Sequence, residues 1–172
     1  MPTSRFESVL RTLADHRVDF IVVGGVATVL QGAPISTFDV DVVHSTAPEN
    51  VVRLSAALAE LDAYYRFQPE RRLRPDATHL SSPGPQLLMT RFGPLDLLGA
   101  IGRGRTFSDL LTHTDELELS GALRVRVLVL ETLIAVKEET GGEKDLAVLP
   151  VMRKTLEEFR RLHPRERKSS TQ

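Results

Sequence analysis

The stretch FIVVGGVATVLQGAPISTFDVDVV, residues 20–43, leaves few folds open to this chain. Phe20 to Val23 read as a buried strand, Gly24-Gly25 break it with a turn, Val26 to Gln31 have the pattern of a short helix, and a second strand then carries Asp39 and Asp41. Side chains alternate along a strand, so the two aspartates project from one face, about 6 to 7 Å apart along the chain, while Val40 and Val42 face the other way. Two carboxylates this close to an apolar layer are costly without a compensating positive charge. The sequence therefore predicts a cation beside them, either a metal ion or an arginine or lysine.

The flanking segments supply what such a unit packs against. Thr3 or Ser4 can cap a helix running to about His16, with Phe6, Val9, Leu10 and Leu13 at helical spacing and Glu7 placed to complete a capping box from Ser4. Pro48 opens a second helix whose apolar stripe is Val51, Val52, Leu54, Leu58 and Leu61. Residues 65–85 show no apolar period, hold Arg66, Arg71, Arg72 and Arg74, and are punctuated by prolines, which predicts a loop-like segment with room for a short strand or helix. Strands are expected over Gln86 to Arg91 and Pro94 to Leu98, joined by a Phe92-Gly93 turn, and Asp96 interrupts the second one where an unpaired carboxylate would be expensive. A glycine-punctuated loop, GRGRT, comes next. A hairpin about Ser120-Gly121 follows, then a helix from Leu130 that stops at Gly141-Gly142. A last helix runs from about Glu143 to Leu162, with Pro150 expected to kink or break it.

No repeat or linker divides the chain, so residues 1–163 are expected to form one α+β domain, a mixed central sheet with flanking helices, and 164–172 a polar tail. At 172 residues the chain is long enough to bury a proper core, and 41% hydrophobic with 26% charged residues is ordinary globular composition. A net charge of -1 gives no global attraction to nucleic acid or acidic membranes, so binding of that kind needs a local patch. Absence of cysteine excludes disulfides, thiolate metal sites and a cysteine nucleophile. No apolar run reaches a membrane span and the N-terminus lacks the order of a signal peptide, so a cytoplasmic protein that does not enter a membrane is expected.

A strand, a Gly-Gly turn, a short helix, D-x-D on the next strand and a third aspartate in a later apolar strand together resemble the DNA polymerase beta-like nucleotidyltransferase superfamily. The matching residues are Gly24-Gly25, Asp39-Val40-Asp41 and Asp96. More narrowly, VGGVATVLQG, the run Thr37 to Asp41, GPLDLL, and LETLIAVK followed by Lys144-Asp145 resemble the small AbiEii-type nucleotidyltransferases of toxin-antitoxin systems, over roughly residues 5–160. One departure stands out: related sequences often carry an arginine two positions before the threonine, where this chain has Ile35.

That resemblance implies transfer of a nucleoside monophosphate from an NTP to an acceptor hydroxyl, assisted by two Mg²⁺ ions. Asp39 and Asp41 would hold the ion that grips the triphosphate, and Asp96 would complete the second ion's site and take the hydroxyl proton. Gly24 and Gly25 would bring backbone close to the phosphates, with the N-terminus of the following helix aimed at them. Thr37 and Lys137 are the other candidate nucleotide contacts. An RNA acceptor such as a tRNA 3′ end and an antitoxin protein are the implied partners.

Each residue has a plainer reading. Gly24-Gly25 is also a simple strand-to-helix turn, and Asp96 a structural carboxylate paired with an arginine. Thr37 can bond the loop backbone, Lys137 can be a solvated helix lysine, and Lys144 and Asp145 a surface ion pair or helix-start cap. The loop arginines either steer a polyanion or face solvent, and Arg160, Arg161, Arg165, Arg167 and Lys168 read as a solvated tail. A catalytically inactive nucleotide-binding or protein-interaction module of the same fold is the alternative function. The histidines lack metal-ligand spacing, and His44, which alone falls near the candidate site, is given no role.

Overall fold

The computed structural model describes residues 4–164. Ser4 caps the first helix, α1 (Arg5–Asp15), its hydroxyl accepting the Glu7 N–H at 3.3 Å. The reciprocal half of the expected capping box is absent: Glu7 Oε2 accepts a hydrogen bond from the Ser120 hydroxyl at 2.6 Å instead. That contact ties α1 to the distant hairpin. Thr3, the other candidate cap, lies outside the described residues.

The apolar run forms β1 (Phe20–Val23), buried throughout. Helix α2 (Gly24–Leu30) begins at Gly24, so the two glycines are its first turn and not a separate turn before Val26. Strand β2 (Val40–His44) begins one residue later than the pattern suggested, which leaves Asp39 as the last loop residue and Asp41 inside the strand. The alternation survives: Val40 and Val42 are buried, Asp39 and Asp41 half-buried. Helix α3 (Pro48–Glu60) follows with Val51, Leu54, Ala57 and Leu58 inward.

The region expected to be loop holds three short elements, β3 (Tyr64–Tyr65), a 3-10 turn (Pro69–Arg71) and α4 (Ala77–Leu80). Then come β4 (Gln86–Thr90) and β5 (Gly93–Leu98), as expected, and a small separate ribbon, β6 (Ala100–Ile101) with β7 (Arg105–Thr106), which leads into α5 (Phe107–Leu110). The hairpin is β8 (Thr114–Glu118) and β9 (Arg124–Leu128), and α6 (Leu130–Thr140) and α7 (Glu143–Leu162) complete the domain.

Seven strands join in the order β3-β4-β5-β2-β1-β9-β8. The sheet is mixed, with β1 parallel to β9 and β2 parallel to β5, the other pairs antiparallel. Its core is one cluster that includes Leu10 and Leu13 of α1, Ile21 and Val22, Leu54 of α3, and Leu95 and Leu97, each 0% exposed. Full burial of each such leucine contributes roughly 1.5 to 3 kcal/mol. This is the expected α+β architecture in one domain. Among the described residues no helix is long and apolar enough to cross a membrane.

Gly141, at φ 61, closes α6 by donating its N–H to the Lys137 carbonyl at 3.0 Å, which turns α7 back along α6. Helix α7 does not end at Pro150; it runs through it. Proline there cannot donate to the carbonyl of Leu146, and both residues are exposed, so water can satisfy that carbonyl. Packing of Leu149 and Met152 holds the helix together on its buried side. The polar tail, residues 165–172 with Arg165, Arg167 and Lys168, lies outside the described residues.

Restoring that hydrogen bond should raise stability. Pro150→Ala is expected to add about 1 to 3 kcal/mol in chemical denaturation, and an unchanged or lower midpoint would mean that α7 bends at Pro150 to make a contact the substitution destroys.

Candidate active site

Register across the sheet brings the acidic residues together. Val23 pairs with Asp41 between β1 and β2, and Asp41 pairs with Asp96 between β2 and β5. Paired residues on neighbouring strands project to the same face, with strands roughly 4.8 Å apart. The two carboxylates therefore lie side by side, and Gly24, directly after Val23, lies next to them. On the far flank Asp96 pairs with Leu87 of β4, whose carbonyl accepts the Arg66 N–H at 3.2 Å. A single row across the sheet thus runs Gly24, Asp41, Asp96, Arg66.

The glycine is required by this packing. Gly24 has φ +66, and a Cβ there would collide with Asp41 Oδ2 and lie 2.9 Å from its Cγ. A Cβ on Gly25 would come 2.5 Å from Thr37 Oγ1. The Gly-Gly pair therefore makes room for the side chains of the D-x-D segment. Thr37 Oγ1 in turn donates to the Asp39 carbonyl at 3.4 Å, the backbone role left open by the sequence.

Two cations face this cluster. The Arg66 guanidinium donates to Asp96 Oδ1 and, at 3.4 Å, to the Leu88 carbonyl. Its side chain is 19% exposed and that of Asp96 16%, so the pair is largely shielded from water and matters more than a surface bridge. The carboxylates of Asp96, Asp39 and Asp41 raise the Arg66 pKa further. Lys137, on α6, donates to Asp145 Oδ1 at 3.0 Å, so it is neither a solvated lysine nor free of partners. Asp145, in the first turn of α7, acts through Lys137, whose charge also reaches Asp41.

Asp41 is the perturbed member. Burial first, then the charge of Asp96 and a hydrogen bond to it, then the charge of Asp39, push its pKa up to about 7, with Lys137 opposing them. In the absence of another cation, Asp41 keeps its proton up to about pH 7. His44 is buried, its Nε2 against the Leu80 carbonyl at 2.8 Å, and burial lowers its pKa. It faces the core and takes no part.

The donor set suits a divalent cation. Asp41 and Asp96 are in a like-charge contact that Arg66 and Lys137 offset only in part, and their hard oxygens are those that Mg²⁺ prefers. Among the described residues no three His, Cys, Asp or Glu side chains converge on a single point. An ion here would draw the rest of its ligands from substrate phosphate and water, as Mg²⁺ usually does.

Sequence reasoning missed the role of Arg66, which it grouped with the other loop arginines. The signal was the requirement for a cation beside the aspartates together with the position of Arg66 at the end of a tyrosine pair able to join a sheet edge. Phe38, 88% exposed between Thr37 and Asp39, was also passed over. It borders a groove of about 250 Å³ that adjoins Asp39 and is lined as well by Arg5, Phe6 and Phe92. A larger cavity, about 470 Å³, lies between α6 and α7 against Ile134 and Leu156, and none of the candidate residues lines it.

No protein-family model and no curated protein matches this chain. Solved structures do. A Thermotoga maritima protein provisionally described as a nucleotidyltransferase superposes with TM-score 0.56 at 19% identity, over 89% of this chain and 91% of that one. The solution structure of the antibiotic-resistance factor ANT(2'')-Ia matches with TM-score 0.57 at 16% identity, over 96% of this chain and 92% of that one. The fold is nucleotidyltransferase-like. At these identities the likeness speaks for the fold alone.

Two expectations follow from this geometry. Gly24→Ala puts a Cβ against Asp41 and into a positive φ, so stability should fall by about 1 to 2 kcal/mol in chemical denaturation; an unchanged midpoint would show that Asp41 can move aside. The second concerns pH. Asp41 ionises near 3.8 when unfolded and near 7 when folded, so the folded state binds the extra proton between these values. Its stabilising effect is full below pH 4 and lost as pH rises through about 7, a few kcal/mol in all. Denaturation of wild type minus Asp41→Asn at pH 5 and pH 8 should show that loss, and a difference independent of pH would place the perturbed carboxyl elsewhere.

Proposed function

We propose that this chain is a metal-assisted nucleotidyltransferase that moves a nucleoside monophosphate from an NTP to an acceptor hydroxyl. The observation that carries the reading is the pairing of Asp41 with Asp96 on adjacent strands, beside a glycine whose missing Cβ admits the Asp41 carboxylate. Nucleotidyltransferases among the structures of like fold support it.

Asp39 and Asp41 would hold the ion that accompanies the triphosphate, and Asp96 would complete the site of a second. Mg²⁺ held there would supply charge neutralisation for the phosphates and would lower the pKa of the attacking hydroxyl. Gly24 and Gly25 let the backbone approach the phosphates, Thr37 steadies the loop ahead of Asp39, and Lys137, oriented by Asp145, donates to a phosphate oxygen. Asp96 accepts the hydroxyl proton after Arg66 has released it. The acceptor oxygen then bonds to the α-phosphorus, the bond from that phosphorus to the bridging oxygen breaks, and pyrophosphate leaves with the electron pair. From the resemblance in sequence, the acceptor is an RNA 3′ hydroxyl such as a tRNA end, the setting is the cytoplasm, and the outcome is growth arrest restrained by an antitoxin.

A second reading has an observation of its own. Arg66 on Asp96 and Lys137 on Asp145 satisfy much of the charge without a metal, as suits a nucleotide-binding or protein-interaction module without turnover.

Incubation with Mg²⁺ and each α-labelled NTP against total tRNA separates the two. Label on RNA with wild type and none with Asp41→Asn is expected, and Asp96→Asn should slow turnover on the order of 100-fold or more with little change in NTP affinity. Mg²⁺-dependent NTP binding without transfer to any acceptor would favour the binding module.

A further inference from the structure

The segment that delivers Arg66 to Asp96 continues as a basic strip with an aromatic face. Residues 66–74 hold four arginines and one glutamate. Arg66 sits over the Phe67 ring, 5.4 Å from its centroid, and Arg72 lies 4.2 Å from the Tyr64 centroid. Phe67 is 73% exposed, and a phenylalanine left in water beside a partly buried ion pair gains nothing for the core. Arg74 is paired with Asp62, and Arg71 bonds the Gln68 side-chain oxygen at 3.1 Å. Among the described residues no carboxylate lies within ion-pair distance of Arg71 or Arg72.

We propose that this strip binds the single-stranded end of a polynucleotide acceptor and that Arg66 changes partner when it does so. This rests on the transferase reading and names its acceptor subsite. Exposed aromatic rings interleaved with arginines are what a flexible polyanion with stacking bases binds. An unpaired base stacks on Phe67, and Arg71 and Arg72 take backbone phosphates. Arg66 leaves Asp96 for the phosphate nearest the reacting hydroxyl, so the arrival of the acceptor frees the carboxylate that must take its proton. Charge sign decides the occupant: a polycationic small acceptor would be repelled by Arg71 and Arg72, whereas a polyanion replaces the carboxylate that Arg66 gives up. The bidentate fork of arginine suits either oxyanion, which makes the exchange possible.

The test is binding of a fluorescent single-stranded oligoribonucleotide to the full chain, in Mg²⁺ with an NTP analogue that cannot be cleaved between its α and β phosphates, by anisotropy across a salt series, with binding of the Mg²⁺ complex of that analogue measured separately by calorimetry. Phe67→Ala should weaken the oligonucleotide about tenfold. Arg71→Ser with Arg72→Ser should reduce the slope of log affinity against log salt by about 0.7 for each charge removed. Arg66→Ala should loosen the oligonucleotide in the same medium, and Arg66→Lys, which keeps the charge, should restore part of that affinity. Unchanged affinity and salt slope in all three variants that remove a ring or a charge, or no oligonucleotide binding by wild type, overturns the proposal. Wild-type transfer to an acceptor whose KM is unaltered in Phe67→Ala overturns the strip and leaves the transferase intact. Loss of oligonucleotide affinity in the variants, with no transfer by wild type to any acceptor, upholds the strip and overturns the transferase.

Discussion

The repulsion between Asp41 and Asp96 is the constraint from which the rest of the site follows. Backbone hydrogen bonding fixes β2 beside β5 in a register that sets the two carboxylates side by side, and no rotamer change moves them to opposite faces of the sheet. Their environment must answer the charge. It does so by keeping a proton on Asp41 to about pH 7, by placing Arg66 against Asp96, and by directing Lys137 toward the cluster. Each answer uses a different part of the chain: the first lies in the two strands themselves, the second comes from the sheet edge at β3, and the third from α6 after the chain has crossed to the opposite side of β1.

These answers are provisional in a chemical sense. A buried ion pair that replaces a metal holds its carboxylate as firmly as the surrounding geometry allows, and breaking it without a substitute leaves an uncompensated charge at considerable cost. Arg66 can leave Asp96 only if another cation reaches Asp96 and another anion reaches Arg66. A divalent ion with its triphosphate meets the first condition, and an acceptor phosphate meets the second. A site wired this way has part of its negative charge offset without a metal.

Much of this was legible in the sequence because it depends on local periodicity. The run from Phe20 to Val43 gave the strand, the glycine pair and the second strand within one or two residues, because burial on a sheet imposes a period that composition alone carries. The aspartates stood out because they break an apolar pattern. What was not legible has nonlocal causes. Glu7 had the spacing of a capping box, but the Ser120 hydroxyl, distant in sequence, offered a better-placed donor. Pro150 had the chemistry of a helix breaker, yet buried Leu149 and Met152 hold both halves of α7 to the core. Arg66 lay in a segment without apolar period, and only the pairing of Tyr64 and Tyr65 with β4 brings it into the row of candidate side chains.

Ile35 is best understood in the same terms. The sequence pattern often has an arginine there, and its absence raised the question of where a compensating positive charge would come from. In the fold, Ile35 is half-buried with its N–H on the Ala33 carbonyl at 2.9 Å, a position shaped by the loop backbone. A guanidinium is nonetheless present at the carboxylates, contributed by Arg66 from the other flank. Position in the row then matters on the proposed transferase reading: a cation on the Gly24 side would face the leaving phosphates, whereas one beyond Asp96 would face the incoming hydroxyl. On the transferase reading proposed above, a guanidinium at position 66 would act on the acceptor side of the row and not on the donor side.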